Sequence, residues 1–218
     1  MVNIAAIYTG QGLMEIIQKI FYEEIPGCNL INILDDSIIR EVITSGGLTP
    51  KLAKRLIHYF YFAEEAGADV ILSTCSSVGE IVDIARRIVS KPIIRIDEPM
   101  AEMAVENFNS IGVLATLSTT LKPTINLLKR KAFEKNRNVS IIEGLADGAY
   151  QALVSGNPEK HDELIVMTAL SISDRVEVLV LAQGSMARIE DKLAKETGKQ
   201  VLSSPRLAIR AIKSLLGV

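Results

Sequence analysis

One stretch of this chain occurs twice. Ala68-Asp-Val-Ile-Leu-Ser-Thr-Cys75 and Val176-Glu-Val-Leu-Val-Leu-Ala-Gln183 lie in register at an offset of 108 residues (75 to 183), and Lys91 and Lys199 keep that offset. Ile4-Ala-Ala-Ile-Tyr-Thr9 and Ile111-Gly-Val-Leu-Ala-Thr116 match at 107 (9 to 116). A nearly constant spacing across a chain of 218 residues points to two copies of one structural plan. The plan itself is legible from periodicity. Short Ile- and Val-rich runs at 3–8, 29–34, 68–73, 93–96, 110–115, 138–143, 176–182 and 201–203 read as strands. Between them, residues 12–22, 50–66, 77–89, 99–107, 120–135, 146–154, 160–173 and 185–196 carry helical spacing, and 207–216 forms a last helix. Almost continuous apolar strands that alternate with helices predict parallel sheets covered on both faces.

The expected fold class is therefore α/β, with two pseudo-symmetric Rossmann-like parallel-sheet lobes and a binding site in the cleft between them. The first lobe is expected over 1–97, completed by a C-terminal helix at 206–218, and the second over 98–205. Gly10, Gly12, Gly67, Gly79, Gly112 and Gly198 fall at the turns such a fold needs.

Composition narrows the function classes. A net charge of −2 offers no basic surface for nucleic acid or an anionic membrane. No apolar run approaches the ~18 residues of a membrane span. Met1-Val2-Asn3 leads straight into an apolar run without a basic segment, so no signal peptide is expected and the cytoplasm is the expected location. Two distant cysteines make no disulfide framework, and two histidines without a Cys/His cluster make no zinc site. Gly10-Gln-Gly12 followed by Asp35-Asp36 has the outline of a dinucleotide fingerprint. However, Glu15 stands where the third glycine belongs and would set a charge against the pyrophosphate. No cofactor is expected.

Reactive chemistry concentrates at Ser73-Thr-Cys-Ser-Ser-Val-Gly-Glu80. Cys75 ends an apolar strand and precedes a helical pattern, the edge at which open α/β sheets bind ligands. A helix N-terminus there is expected to lower the thiol pKa and to receive a carboxylate, with Ser76 and Ser77 capping the helix. The plainer alternative is a small buried cysteine beside an ordinary cap. In the second copy Leu181-Ala-Gln-Gly-Ser-Met-Ala187 forms the matching turn: Gln183 replaces Cys75, Gly184 allows close approach, and Ser185 is a candidate cap. Tyr8-Thr-Gly-Gln-Gly12 and Thr116-Leu-Ser-Thr-Thr120 close the opening strand of each lobe with hydroxyls suited to a small carboxylate, or simply to capping. Cys28 reads as structural, His58 as a packing or surface residue, His161 as part of a polar loop or helix start, and the Lys/Arg groups at 51–55 and 129–137 as solvated helix faces.

In this order, strand–Thr-Gly-x-Gly, strand–Thr-Cys-Ser-Ser, Ile-Gly-Val-Leu-Ala-Thr and Leu-Ala-Gln-Gly-Ser-Met, the chain resembles the aspartate/glutamate/hydantoin racemase superfamily, with its maleate isomerases and arylmalonate decarboxylases. The resemblance implies two lobes, no cofactor, a homodimer as an allowed assembly and a cysteine from each lobe acting on opposite faces of the substrate. Cys75 falls on the first of those cysteines and Gln183 on the second, and glutamine carries no proton near neutral pH. Tyr8-Thr9 replaces the Asp-Ser of glutamate racemases, Cys75-Ser76-Ser77 their Cys-Asn-Thr, and Gly184-Ser185 their Thr-His, so the groups that handle an ammonium are largely missing.

The expected activity is a cofactor-independent isomerase with Cys75 as sole acid/base or nucleophile on a small carboxylate lacking an amino group. A decarboxylase or other lyase, or a non-catalytic small-acid-binding protein, is the alternative. Expected substrate contacts are Tyr8, Thr9, Gln11, Thr74, Ser76 and Ser77 in the first lobe, and Thr116, Thr119, Gln183, Gly184 and Ser185 in the second.

Overall fold

A computed structural model describes residues 2–218. The chain divides into two compact units: residues up to Pro99 together with Pro205–Val218, and Met100–Ser204. The first unit holds β1 (Asn3–Tyr8), α1 (Met14–Glu24), β2 (Asn29–Leu34), α2 (Ser37–Ser45), α3 (Pro50–Glu65), β3 (Val70–Ser73), α4 (Ile81–Ala85) and β4 (Ile93–Arg95). The helix α5 (Glu98–Asn107) leads into the second unit, with β5 (Ser110–Ala115), α6 (Ser118–Glu134), β6 (Ser140–Leu145), α7 (Ala149–Val154), α8 (Pro158–Ser173), β7 (Val178–Leu181), α9 (Glu190–Thr197) and β8 (Gln200–Ser203). The last helix, α10 (Ser204–Leu216), returns to the first unit.

Each unit has one four-stranded sheet, ordered β2-β1-β3-β4 and β6-β5-β7-β8, and every pairing is parallel. The two orders are the same, as the repeat requires. The central strands read as apolar runs because both their faces are covered. In β1, Ala5 and Ile7 pack with Ile38, Leu52, Leu56 and Phe60 of α2 and α3. Ile4, Ala6 and Tyr8 point the other way, onto Ile17 and Phe21 of α1 and Ala208, Ile209 and Ile212 of α10. In the second unit the face toward α8 joins Leu114, Leu179 and Leu181 to Ile165, Ala169 and Ile172.

Three expectations change. The helix α2 was not anticipated: its segment, Ser37-Ile-Ile-Arg-Glu-Val-Ile-Thr-Ser45, buries only Ile38 and Val42 and has no side-chain cap. Its place is fixed instead by tertiary contact, with the Ile39 N–H donating to the Thr9 carbonyl at 3.4 Å. The expected helix at 77–89 is a 3-10 turn over Ser76–Val78 followed by five residues of α4. The one at 185–196 likewise begins as a 3-10 turn, Gly184–Ile189, before α9. Among the described residues no helix is long and apolar enough to cross a membrane.

Candidate active site

Parallel pairing brings the C-terminal ends of β1 and β3 side by side, and Thr9 and Cys75 lie just beyond them. The Thr74 N–H and hydroxyl both donate to the Ile7 carbonyl, at 3.2 and 2.9 Å, which prolongs the β1–β3 ladder by one residue. The Thr74 hydroxyl is thus engaged by the backbone. Cys75 remains extended (φ −119°, ψ 112°), and the chain then tightens into the 3-10 turn. The Thr9 side chain, the Ser77 side chain and the Ser77 and Val78 N–H groups hydrogen-bond the thiol. These four groups form a small donor ring around one sulfur. Ser76 and Ser77 are buried, and neither caps α4, whose N-cap is Glu80 with no side-chain bond.

The expected depression of the thiol pKa is reversed. Burial pushes Cys75 up, and it outweighs the hydrogen bonds from Thr9, Ser77 and Val78 that favour the thiolate. Five helical residues after a 3-10 turn align too few peptide dipoles to compensate.

The second unit repeats the geometry with different chemistry. Thr116 ends β5 as Thr9 ends β1, and Gln183 follows β7 as Cys75 follows β3. The Thr116 N–H donates to Gln183 Oε1 and Gln183 Nε2 donates to Thr116 Oγ1, both at 2.7 Å. The hydrogen-bonding edge of the amide is closed on its neighbour. Gly184 is buried and opens the following turn, Ser185 is half-buried, and α9 has no side-chain cap, so Ser185 does not serve as one. Leu117 occupies the N-cap of α6 without a side-chain bond, which sets aside capping by Thr116. In the first turn of that helix the Thr119 hydroxyl is buried without a hydrogen-bond partner among the described residues.

Two other expected contacts, Tyr8 and Gln11, differ sharply in exposure. Tyr8 is fully buried in the layer under α1 and α10, where its hydroxyl has no partner among the described residues and burial pushes its pKa up. Gln11 is exposed, and its amide donates to Asp36 at 3.0 Å.

Sequence reasoning overlooked a charged pair beside the Cys75 turn. Arg95 and Asp97, 1% and 0% exposed, form a bidentate ion pair with Nε–Oδ1 at 2.6 Å and Nη2–Oδ2 at 2.9 Å. The signal was an arginine inside the apolar run Ile93-Ile-Arg-Ile96, followed two residues later by an aspartate. His161, read as part of a polar loop or helix start, lies near the start of α8 and is buried, with Nδ1 at 2.8 Å from Asp162, which pairs with Arg188 of the turn after Gln183. Among the described residues no group of three His, Cys, Asp or Glu side chains could hold a metal ion.

A family model described as Asp/Glu/Hydantoin racemase matches residues 5–212. Among solved structures the chain is similar to an allantoin racemase from Klebsiella pneumoniae, 22% identical over 100% of this chain and 88% of that one, at a TM-score of 0.72. A glutamate racemase isoform from Bacillus anthracis reaches a TM-score of 0.81 at 14% identity, covering 99% of this chain and 82% of that one. An aspartate racemase from Picrophilus torridus gives 0.76 at 14% identity, over 100% and 95%. At these identities the structures share a fold, and their substrates differ.

Proposed function

The chain belongs to the Asp/Glu/Hydantoin racemase family, and from that premise we propose that it is a cofactor-independent isomerase in which Cys75 alone carries the proton on a small carboxylate substrate. Membership makes it an isomerase of the racemase type. The observation that supports the narrower reading is the unequal pair of turns. Cys75 sits in a ring of donors, whereas its counterpart Gln183 has its amide closed on Thr116. A symmetric racemase needs a proton carrier on each face of the reacting carbon, and glutamine supplies none.

In this reading the half-buried Cys75 S–H acts first as an acid. It delivers its proton to a carbanionic or enolic carbon, and the thiolate left behind is held by Thr9, Ser77 and the Ser77 and Val78 N–H groups. The same sulfur then removes a proton on that face, so that a double bond shifts or keto and enol forms interconvert. Ser76, buried in the turn that follows Cys75, is proposed to receive a carboxylate or enolate oxygen, a well-placed donor contributing about 3–4 kcal/mol in the transition state. A second route starts from the thiolate form, its proton released to solvent: the sulfur forms a C–S bond to an alkene, pushes the π pair onto the carboxylate-bearing carbon, allows rotation and leaves again, giving cis–trans isomerisation.

Proton NMR in D₂O separates these routes. Maleate and oxaloacetate, with glutamate, aspartate and allantoin as the compounds named for similar structures, are incubated with the wild type and with Cys75→Ser. Proton transfer incorporates deuterium at the isomerised carbon, whereas addition and elimination isomerise without it. Undiminished turnover by Cys75→Ser would sink the proposal. So would protection of Cys75 from iodoacetamide by these acids with no turnover of any, the behaviour of a binding protein.

A further inference from the structure

The Cys75 turn is backed by a buried charge pair that the thiol chemistry above does not use. In the β3–β4 pairing Ser73 lies opposite Arg95, so the arginine stands beside the strand end that leads into the turn. Its guanidinium packs against Gly79, the residue that closes the turn through its N–H to the Ser76 carbonyl at 3.1 Å. A Cβ at Gly79 would meet Arg95 Nε at 2.2 Å, Cζ at 2.4 Å and Nη2 at 2.8 Å. Gly79 has an ordinary helical backbone (φ −59°, ψ −27°), so no turn conformation demands glycine there. What demands it is the arginine. Asp97 holds the guanidinium there through two short bonds, while Asp83 and Glu98 are the other acids acting on it.

Burying an ion pair this completely is a poor route to stability, because desolvation takes back most of the Coulombic gain. Its rigid fork does fix a geometry. The turn that Gly79 closes carries the Ser77 and Val78 N–H groups that hydrogen-bond the thiol. We propose that Arg95 and Asp97 are positioning residues for the proposed Cys75 chemistry, pressing the Gly79 turn so that the Ser77 and Val78 N–H groups stay aligned on the sulfur. The inference rests on the reading of Cys75 as the reactive group, but its test is independent of substrate.

The test is the pH dependence of Cys75 alkylation by iodoacetamide in the full-length protein, with peptide-resolved mass spectrometry separating Cys75 from Cys28. Gly79→Ala changes no charge and displaces the guanidinium; Arg95→Lys keeps the charge and loses the fork; Asp97→Asn keeps the shape and loosens the grip. Gly112→Ala is the control, since it also forces a collision, with Leu179 Cδ2 at 2.8 Å, but in the other unit. The expected result is a Cys75 midpoint moved up by about one unit, and alkylation about tenfold slower below it, in all three test variants. The Gly112→Ala protein keeps the wild-type profile. If Gly79→Ala and Arg95→Lys titrate like wild type, or if Gly112→Ala shifts the midpoint as far, the pair is a structural element only and the proposal falls. Should Gly79→Ala fail to fold, Arg95→Lys and Asp97→Asn decide the matter by the same criterion. Turnover retained by Cys75→Ser would overturn the catalytic reading of the thiol without touching these profiles, so the two failures are distinguishable.

Discussion

Burial and hydrogen bonding pull the Cys75 thiol in opposite directions, and burial is the larger influence. Replacing Thr9 with valine removes one of the opposing bonds without adding charge. The Thr9→Val thiol is expected to titrate higher still, and a pH series of iodoacetamide rates reads the shift directly. The same raised value has a signature in stability. A folded thiol that ionises above its unfolded counterpart contributes stability that is complete below the unfolded value of ~8.5 and is lost as pH rises through the folded one. Urea unfolding of Cys75→Ser should therefore lose less stability than wild type between pH 8 and 10. Tyr8 makes a different residue-scale case. Its hydroxyl is buried without a partner among the described residues, and an orphaned buried hydroxyl costs about 1–3 kcal/mol. Tyr8→Phe is expected to raise stability in denaturant and to leave turnover unchanged. A fall in turnover would place Tyr8 in the site that the first-strand motif suggested.

Elements show which signals were strong enough to read. The eight strands were legible because a strand covered on both faces has to be apolar throughout, and only their ends moved by a residue or two: β3 starts at Val70 rather than 68, β6 ends at Leu145 rather than 143. The missed helix α2 has a physical excuse, since Asp35-Asp36-Ser37 reads as a turn and only two of nine residues are buried. Helix length after Cys75 was overestimated because Val78, Ile81, Val82 and Ala85 keep helical spacing through a 3-10 turn, which periodicity alone does not distinguish from an α-helix. The thiol pKa followed that error, since a longer helix would have exerted a larger dipole. In the second unit, by contrast, close packing turns on a residue without a side chain. A Cβ at Gly144 would lie 2.7 Å from Leu114 Cδ2, 3.1 Å from Ile172 Cδ1 and 3.2 Å from Thr168 Cγ2, all where α8 crosses β5 and β6. Gly144→Ala is expected to destabilise by about 1–3 kcal/mol through overpacking, measured by chemical denaturation with an unchanged m-value.

At the scale of the whole chain the repeat announced two units, and the helix that follows each sheet's last strand belongs to the other unit: α5 after β4, and α10 after β8. Met100–Ser204 is continuous in sequence, whereas the other unit is completed from the far end of the chain by Pro205–Val218. Ala208, Ile209 and Ile212, all fully buried, close the face of β1 that Ile4, Ala6 and Tyr8 present, beside Ile17 and Phe21 of α1. Charge fixes the helix at its outer edge: Arg206 pairs with Glu23 and Glu24 at 2.7 Å each, and Arg210 reaches Glu24 at 3.0 Å. Those exposed pairs add little. Three apolar side chains of this size, buried at roughly 25 cal/mol per Å², together contribute several kcal/mol, a large share of what holds a unit this small. Truncation after Ser204 should therefore unfold the first unit selectively. Limited proteolysis of the truncated chain is expected to destroy residues up to Pro99 and to leave a resistant fragment spanning Met100–Ser204. Restoring α10 as a separate peptide should recover protection, while the same peptide with Ile209→Asp and Ile212→Asp should not. If the truncated chain resists protease as the intact one does, α10 is an ornament on a unit that the first four strands and their helices already close.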